Sequence, residues 1–212
     1  MIDSLCDFAC GTGTLMLELS RSGKTVFGCD LSPSMYKTAA TILKDVKNAH
    51  VDHGDMVIYR PPQEVDLATC LFDSVNYLMF RDKWRSFFQN VAFVLRPGGF
   101  FIFDYVSLFD LESCWPGYHS VMEGKEWILT RLSEYDRVSG RGIEKMIWHT
   151  YHNNHWQTET EIHEHTSLPE SLVEEFLADA GLTIIKIMDA DTFEKVYEFE
   201  TTRILVIAQK QG

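Results

Sequence analysis

The sequence predicts a doubly wound α/β fold interrupted by an inserted antiparallel β segment. Three observations carry this. Short apolar stretches alternate with helix-periodic runs through the first hundred residues. A Gly11-Thr12-Gly13 turn joins the first apolar stretch to the first helical run. From about residue 110 the pattern changes to period-two alternation, and helix-then-strand patterning returns only near Pro169.

Ser4 to Cys10 reads as a short buried strand that breaks at the glycine turn. Leu15, Met16, Leu17 and Leu19 form a helical run ending at Ser22-Gly23, where Gly23 supplies the C-terminal cap. Thr25 to Cys29 is β-rich and ends on Asp30, completing a βαβ unit with parallel strands. Ser34 to Lys47 is helical, Ala49 to His53 a short strand and Val65 to Phe72 a buried strand. A helix from Asp82 to Leu95 stops at Arg96-Pro97-Gly98-Gly99, and the strand Phe100 to Val106 follows. Trp127 to Arg137 and Ile143 to Thr166 alternate polar and apolar residues across the Gly-rich turn Val138 to Gly142, as in a hairpin or small sheet. Pro169 to Ala180 is a helix capped by Gly181, and Thr183 to Met188 and Thr202 to Gln209 are the last strands. The chain reads as one domain, 1–212, with 110–167 inserted.

With 31 acidic and 19 basic residues the net charge is −12, the wrong sign for gripping nucleic acid or anionic lipid. A small molecule, or a neutral or basic partner, is expected. The five cysteines contain no C-x-x-C pair, so neither a disulfide framework nor a zinc ribbon is indicated, and the expected compartment is the cytoplasm. No apolar run reaches membrane-spanning length, and the start lacks a signal peptide's regions.

A Gly-x-Gly loop between strand and helix lets a ligand approach the backbone closely and aims free amides at it. Asp30, at the tip of the second strand, is placed to accept hydrogen bonds from vicinal ribose hydroxyls. Loop and acid together describe a nucleoside site. A dinucleotide fingerprint needs a small residue where this chain has Met16, which disfavours NAD.

The stretch Leu5 to Met35 resembles motif I and its continuation in class I S-adenosylmethionine-dependent methyltransferases of the small-molecule type, a resemblance that extends to Gln209. It implies a Rossmann-like, mostly parallel seven-stranded sheet with an antiparallel last strand, and S-adenosylmethionine as cofactor. Asp7, Gly11 and Gly13 match the motif I acid and glycines; Ala9 stands where the first glycine is usual, tolerable if its backbone angles are ordinary. The resemblance makes Asp30 the ribose acid, sets Leu31 and Met35 beside the adenine, and assigns Asp55 and Met56 to the adenine amino group and backbone contacts. Leu71 and Phe72 fall in the segment beneath the methyl donor. It also implies that 110–167 roofs the acceptor pocket, and that helices usually precede motif I; their absence from this sequence leaves a fragment, a shorter form with an open site, or a surface covered by a second copy, a partner subunit or the inserted sheet as the alternatives.

Methyl transfer is an in-line displacement, so alignment matters most, and a base helps only when the acceptor must lose a proton. Glu161, His163 and His165, at i, i+2 and i+4, share one face of a strand, making His163 or His165 the candidate base; a solvated edge-strand face explains the same pattern. Tyr77 and Asp104, at strand ends, are candidates for acceptor contact, and Trp115, Tyr118, Trp127 and Trp148 for an aromatic pocket. His149, His152 and His155 are spaced by three, which alternates faces on a strand, so no metal is expected. The alternative to an active methyltransferase is a cofactor-binding but idle subunit that completes a partner enzyme.

Overall fold

Every residue of β1, Ser4–Phe8, is buried, as befits a strand of a parallel sheet covered on both faces. The computed structural model describes residues 2–196 and 200–212. β1 leads through α1 (Thr14–Arg21) to β2 (Thr25–Asp30), then α2 (Pro33–Leu43), β3 (Ala49–His53), β4 (Val65–Cys70), α3 (Arg81–Val94) and β5 (Leu95–Val106). Four strands follow, β6 (Tyr118–Gly124), β7 (Trp127–Asp136), β8 (Arg141–His152) and β9 (His155–His165). The chain then returns through α4 (Glu170–Asp179) to β10 (Leu182–Asp189) and β11 (Arg203–Lys210).

The main sheet has seven strands in the order β10-β11-β5-β4-β1-β2-β3, with β11 antiparallel to both of its neighbours. One face buries Leu5, Met16, Val26 and Leu43 under α1 and α2. The other buries an aromatic cluster, Phe8, Trp84, Phe87, Phe88, Phe101, Phe103 and Tyr105, under α3 and α4. Order reverses between β1 and β4, the switch point at which open α/β sheets bind ligands beyond their strand ends. Helix and strand still pack closely beside Met16, because the small residue is on the strand: a Cβ on Gly28 would lie 2.6 Å from the Met16 sulfur.

Several elements depart from the sequence reading. α2 ends at Leu43 rather than Lys47, because the Asn48 side chain donates to the carbonyls of Ser20 and Lys24 and draws the chain out of the helix. The Arg96–Gly99 turn is part of β5, which pairs with β4 across a register shift. The alternating run Ile143–Thr166 is two strands, since Asn153 and Asn154 both take left-handed φ (50° and 64°) and make a two-residue hairpin turn. With β6, which the sequence reading left out, this makes a four-stranded antiparallel sheet ordered β6-β7-β8-β9. A 3-10 turn at Ser74–Tyr77 and a π turn at Asp110–Cys114 also lay outside that reading.

Candidate active site

Beyond β1 the backbone runs through left-handed conformations at Ala9, Gly11 and Gly13 (φ 53°, 57° and 77°). Ala9 therefore lacks the ordinary angles under which a methyl there would be harmless; it is an L-residue in a region that favours glycine. Gly13 is needed for close approach, since a Cβ there would sit 3.0 Å from that of Ala39 on α2. Asp30 fixes the loop: its Oδ2 accepts the Gly11 amide and its Oδ1 the Ser32 amide, both at 2.8 Å. Each oxygen retains a lone pair, so the carboxylate can hold the loop and still accept two vicinal hydroxyls. Beneath the loop Asp7 is buried and accepts the Thr69 hydroxyl at 2.6 Å. Burial pushes its carboxyl up to about 7 against the downward pull of that hydrogen bond, and the Asp30 charge adds to the rise.

Three apolar side chains stand in the open after β2, on α2 and after β4: Leu31 is 66% exposed, Met35 is also exposed, and Phe72 is 77% exposed. Asp55 caps its own turn through the Val57 amide, and Met56 turns into the core. Exposed apolar side chains beside an anchored carboxylate and a glycine loop suit the flat apolar face of a nucleoside base.

On the other side of β4, a cavity of about 230 Å³ lies between the strand ends and the small sheet, its walls including Asp73, Asp110, Trp115, Arg131, Glu144 and Arg203. His165 also lines it, at 3% exposure, with neither ring nitrogen hydrogen-bonded; the Asp73 carboxylate lies 3.5 Å from Nδ1, outside hydrogen-bonding alignment. Burial drives the His165 ring down to about 4, so it is neutral at physiological pH. Burial also raises Asp73 to about 6, with the Arg203 charge pulling the other way.

The two candidate histidines are thus in different situations. His163 Nδ1 lies 2.9 Å from the Tyr77 hydroxyl, and its Nε2 lies 3.4 Å from Glu161, so both nitrogens have partners. The Tyr77 ring lies 4.5 Å from that of His165, and burial lifts its phenol to about 12. Of the tryptophans only Trp115 reaches the cavity, donating to Asp110 and lying 5.2 Å from the His165 ring; Trp127 and Trp148 contact each other on the small sheet. His149 bonds Thr158, and among the described residues no three His, Cys, Asp or Glu side chains form a metal-holding group.

Asp104 does not itself line the cavity. It accepts the Phe72 and Asp73 amides and the Arg203 Nε–H. Sequence reasoning missed Asp73, Arg131, Glu144, Asp110 and Arg203. Alternation turns Ile143 inward and Glu144 outward, whereas Ile143 is exposed and Glu144 is buried, paired with Arg131 at 2.6 Å, so the sequence carried no signal for it.

Fold and loop together define a doubly wound nucleoside-binding protein with a second, polar cavity beside the nucleoside side. Residues 5–99 match the family described as "Methyltransferase domain". YqeM of Bacillus subtilis (strain 168), which carries a provisional methyltransferase name, is 26% identical over 209 residues, covering 97% of this chain and 83% of that one. The dTDP-3-amino-3,6-dideoxy-alpha-D-glucopyranose N,N-dimethyltransferase of Streptomyces fradiae is 29% identical over 136 residues, 63% of this chain and 51% of the relative. A solved S-adenosylmethionine-dependent methyltransferase from Clostridium acetobutylicum ATCC 824 superposes with a TM-score of 0.90 at 25% identity, covering 100% of this chain and 85% of that one. The family match and these relatives support S-adenosylmethionine-dependent methyltransferase activity, with S-adenosylmethionine as the cofactor. Among the described residues no helix is long and apolar enough to cross a membrane.

Proposed function

We propose that the chain methylates a nitrogen of a small, polar, amine-bearing molecule held in the cavity between the two sheets. The observation that carries this is His165, a neutral, buried ring with no hydrogen-bond partner on a cavity wall otherwise made of charged groups. A buried polar group without a partner costs free energy unless a ligand supplies one. Among the described residues four carboxylates, Asp73, Asp110, Glu144 and Asp191, line the cavity against two guanidinium groups, and both guanidiniums are already engaged, Arg131 with Glu144 and Arg203 with Asp104. That balance favours a cation over an anion. The Streptomyces fradiae relative, named for dimethylating an amino sugar, supports the same reading.

S-Adenosylmethionine supplies the electrophilic methyl group when bound. Asp30 and the Ala9–Gly13 loop hold the nucleoside, and Leu31, Met35, Asp55, Leu71 and Phe72 surround it. Asp7 supports the loop from below. His165 accepts a hydrogen bond from the acceptor amine and so turns the nitrogen lone pair toward the methyl group. Asp73 stabilises the positive charge that the nitrogen gains with the methyl group. His163 keeps Tyr77 in place.

The test is turnover by the isolated chain with S-adenosylmethionine and three probes matched in shape, glucosamine, glucose and glucuronate, read as S-adenosylhomocysteine formed. Release with glucosamine alone is expected. Release with glucuronate but not glucosamine contradicts the amine reading, and no release with any amine in a wider panel favours the idle-subunit alternative.

A further inference from the structure

Phe72 and Asp73 are consecutive non-glycine residues in left-handed backbone (φ 58° and 50°). Such conformations persist only where the surroundings enforce them. Burial does not enforce this one, because the Phe72 ring stands 77% exposed. The enforcing group is the carboxylate of Asp104, itself 3% exposed, whose Oδ1 accepts the Phe72 amide at 2.8 Å and whose Oδ2 accepts the Asp73 amide at 2.9 Å. Arg203 completes the arrangement from the antiparallel strand β11. Its Nε–H donates to Asp104 Oδ2 at 2.5 Å, its guanidinium lies 5.4 Å from the Phe72 ring centre, and its Nη2 lies 4.0 Å from Asp73. The same guanidinium lines the acceptor cavity. A turn that only needed to end a strand would use glycine; this one holds an aromatic ring in solvent at the switch point between nucleoside loop and cavity.

We propose that Asp104 and Arg203 are positioning residues that hold the Phe72–Asp73 turn, so that Arg203, without touching the cofactor, sets its affinity through Phe72. The proposal rests on the reading above that Phe72 meets the cofactor. It makes the antiparallel pairing of β11 with β5 part of the site, since that pairing delivers residue 203 to a turn more than a hundred residues earlier in the chain.

A double-mutant cycle on S-adenosylhomocysteine affinity, by calorimetry with the full chain, tests it. Phe72→Ala is expected to weaken binding about tenfold and Arg203→Met about fivefold, with the double variant no weaker than about tenfold because the arginine acts through the ring. Arg203→Lys, which keeps the charge but lacks the planar fork, should fall between wild type and Arg203→Met, and its loss should vanish in the Phe72→Ala background. That variant carries the test should Arg203→Met not fold. Arg203 variants with wild-type affinity, or losses that multiply to about fiftyfold in the double variant, overturn the proposal while leaving the cofactor reading intact. A Phe72→Ala variant with wild-type affinity overturns the reading of Phe72 itself, and the proposal with it.

Discussion

Replacing Asp30 by Ala should damage the protein in two separable ways. In the free chain it removes two charge-assisted hydrogen bonds, from the amides of Gly11 and Ser32, each at 2.8 Å to a carboxylate that is 8% exposed. Bonds to charged groups contribute about 1.5–3 kcal/mol each when buried. The freed amides lie in surface loops where water replaces the carboxylate, which reduces the pair to a net loss of about 2 kcal/mol. For a chain of this size that lowers the melting temperature by about 4–8 °C in calorimetry. In the complex the variant also loses the bonds to the ribose hydroxyls, worth about 1.5–3 kcal/mol, or about 10- to 100-fold in the dissociation constant for S-adenosylhomocysteine. Asp30→Asn keeps one acceptor and should lose about half as much on both scales. A variant that melts early but binds S-adenosylhomocysteine within about twofold of wild type would refute the reasoning, because the carboxylate would then be a loop clamp alone.

Further outcomes follow from the same geometry. Ala9→Gly relieves a left-handed L-residue, a gain of about 1–2 kcal/mol offset by about 0.4–1 for the freer unfolded chain and by part of a methyl contact, so stability in urea should rise by about 0.5 kcal/mol; a clear loss would show the φ of 53° to be unstrained. His165→Ala should lower methyl transfer by about 100-fold and His163→Ala by less than tenfold, with cofactor affinity kept in both; equal effects would mean that the partners of His163 do not remove it from the chemistry. Asp7 is raised to about 7 by burial, so the folded chain binds its proton more tightly than the unfolded chain does. Its contribution is full below about pH 4 and is lost as pH rises through about 7. Asp73, raised to about 6, acts in the same direction, whereas His165, lowered to about 4, adds stability as pH rises from about 4 to 6.5. Asp7→Asn should therefore be more stable than wild type at pH 8, by on the order of 4 kcal/mol, and similar at pH 4; a variant weaker than wild type at pH 8 would show that the ionised carboxylate is stabilised in place.

The parallel half of the fold was legible because its signals are local. A buried run, a glycine turn, a helical stripe and a strand ending on Asp30 sit within thirty residues, and the structure keeps each within a few positions. The small sheet was only half legible. The polar run His152-Asn153-Asn154-His155 interrupts the alternation, but an Asn-Asn turn lacks the glycine that marks most tight hairpins, so two strands read as one. The strain at Ala9 could not be read at all, since φ depends on how the loop closes onto Cys29 and Asp30. The histidines were located by spacing, but spacing cannot tell a satisfied ring from an unsatisfied one. That distinction comes from Tyr77, more than eighty residues away, which takes up His163 and leaves His165 facing the cavity. The carboxylates of the cavity come from four separate segments and meet only in the fold.

A crystal structure of the chain with S-adenosylhomocysteine tests the central claim most directly. The account predicts the ribose on Asp30, the nucleoside flanked by Leu31 and Met35, and the sulfur beside the Phe72–Asp73 turn, facing the cavity walled by His165. A nucleoside bound away from Asp30, or a sulfur directed away from that cavity, would contradict it.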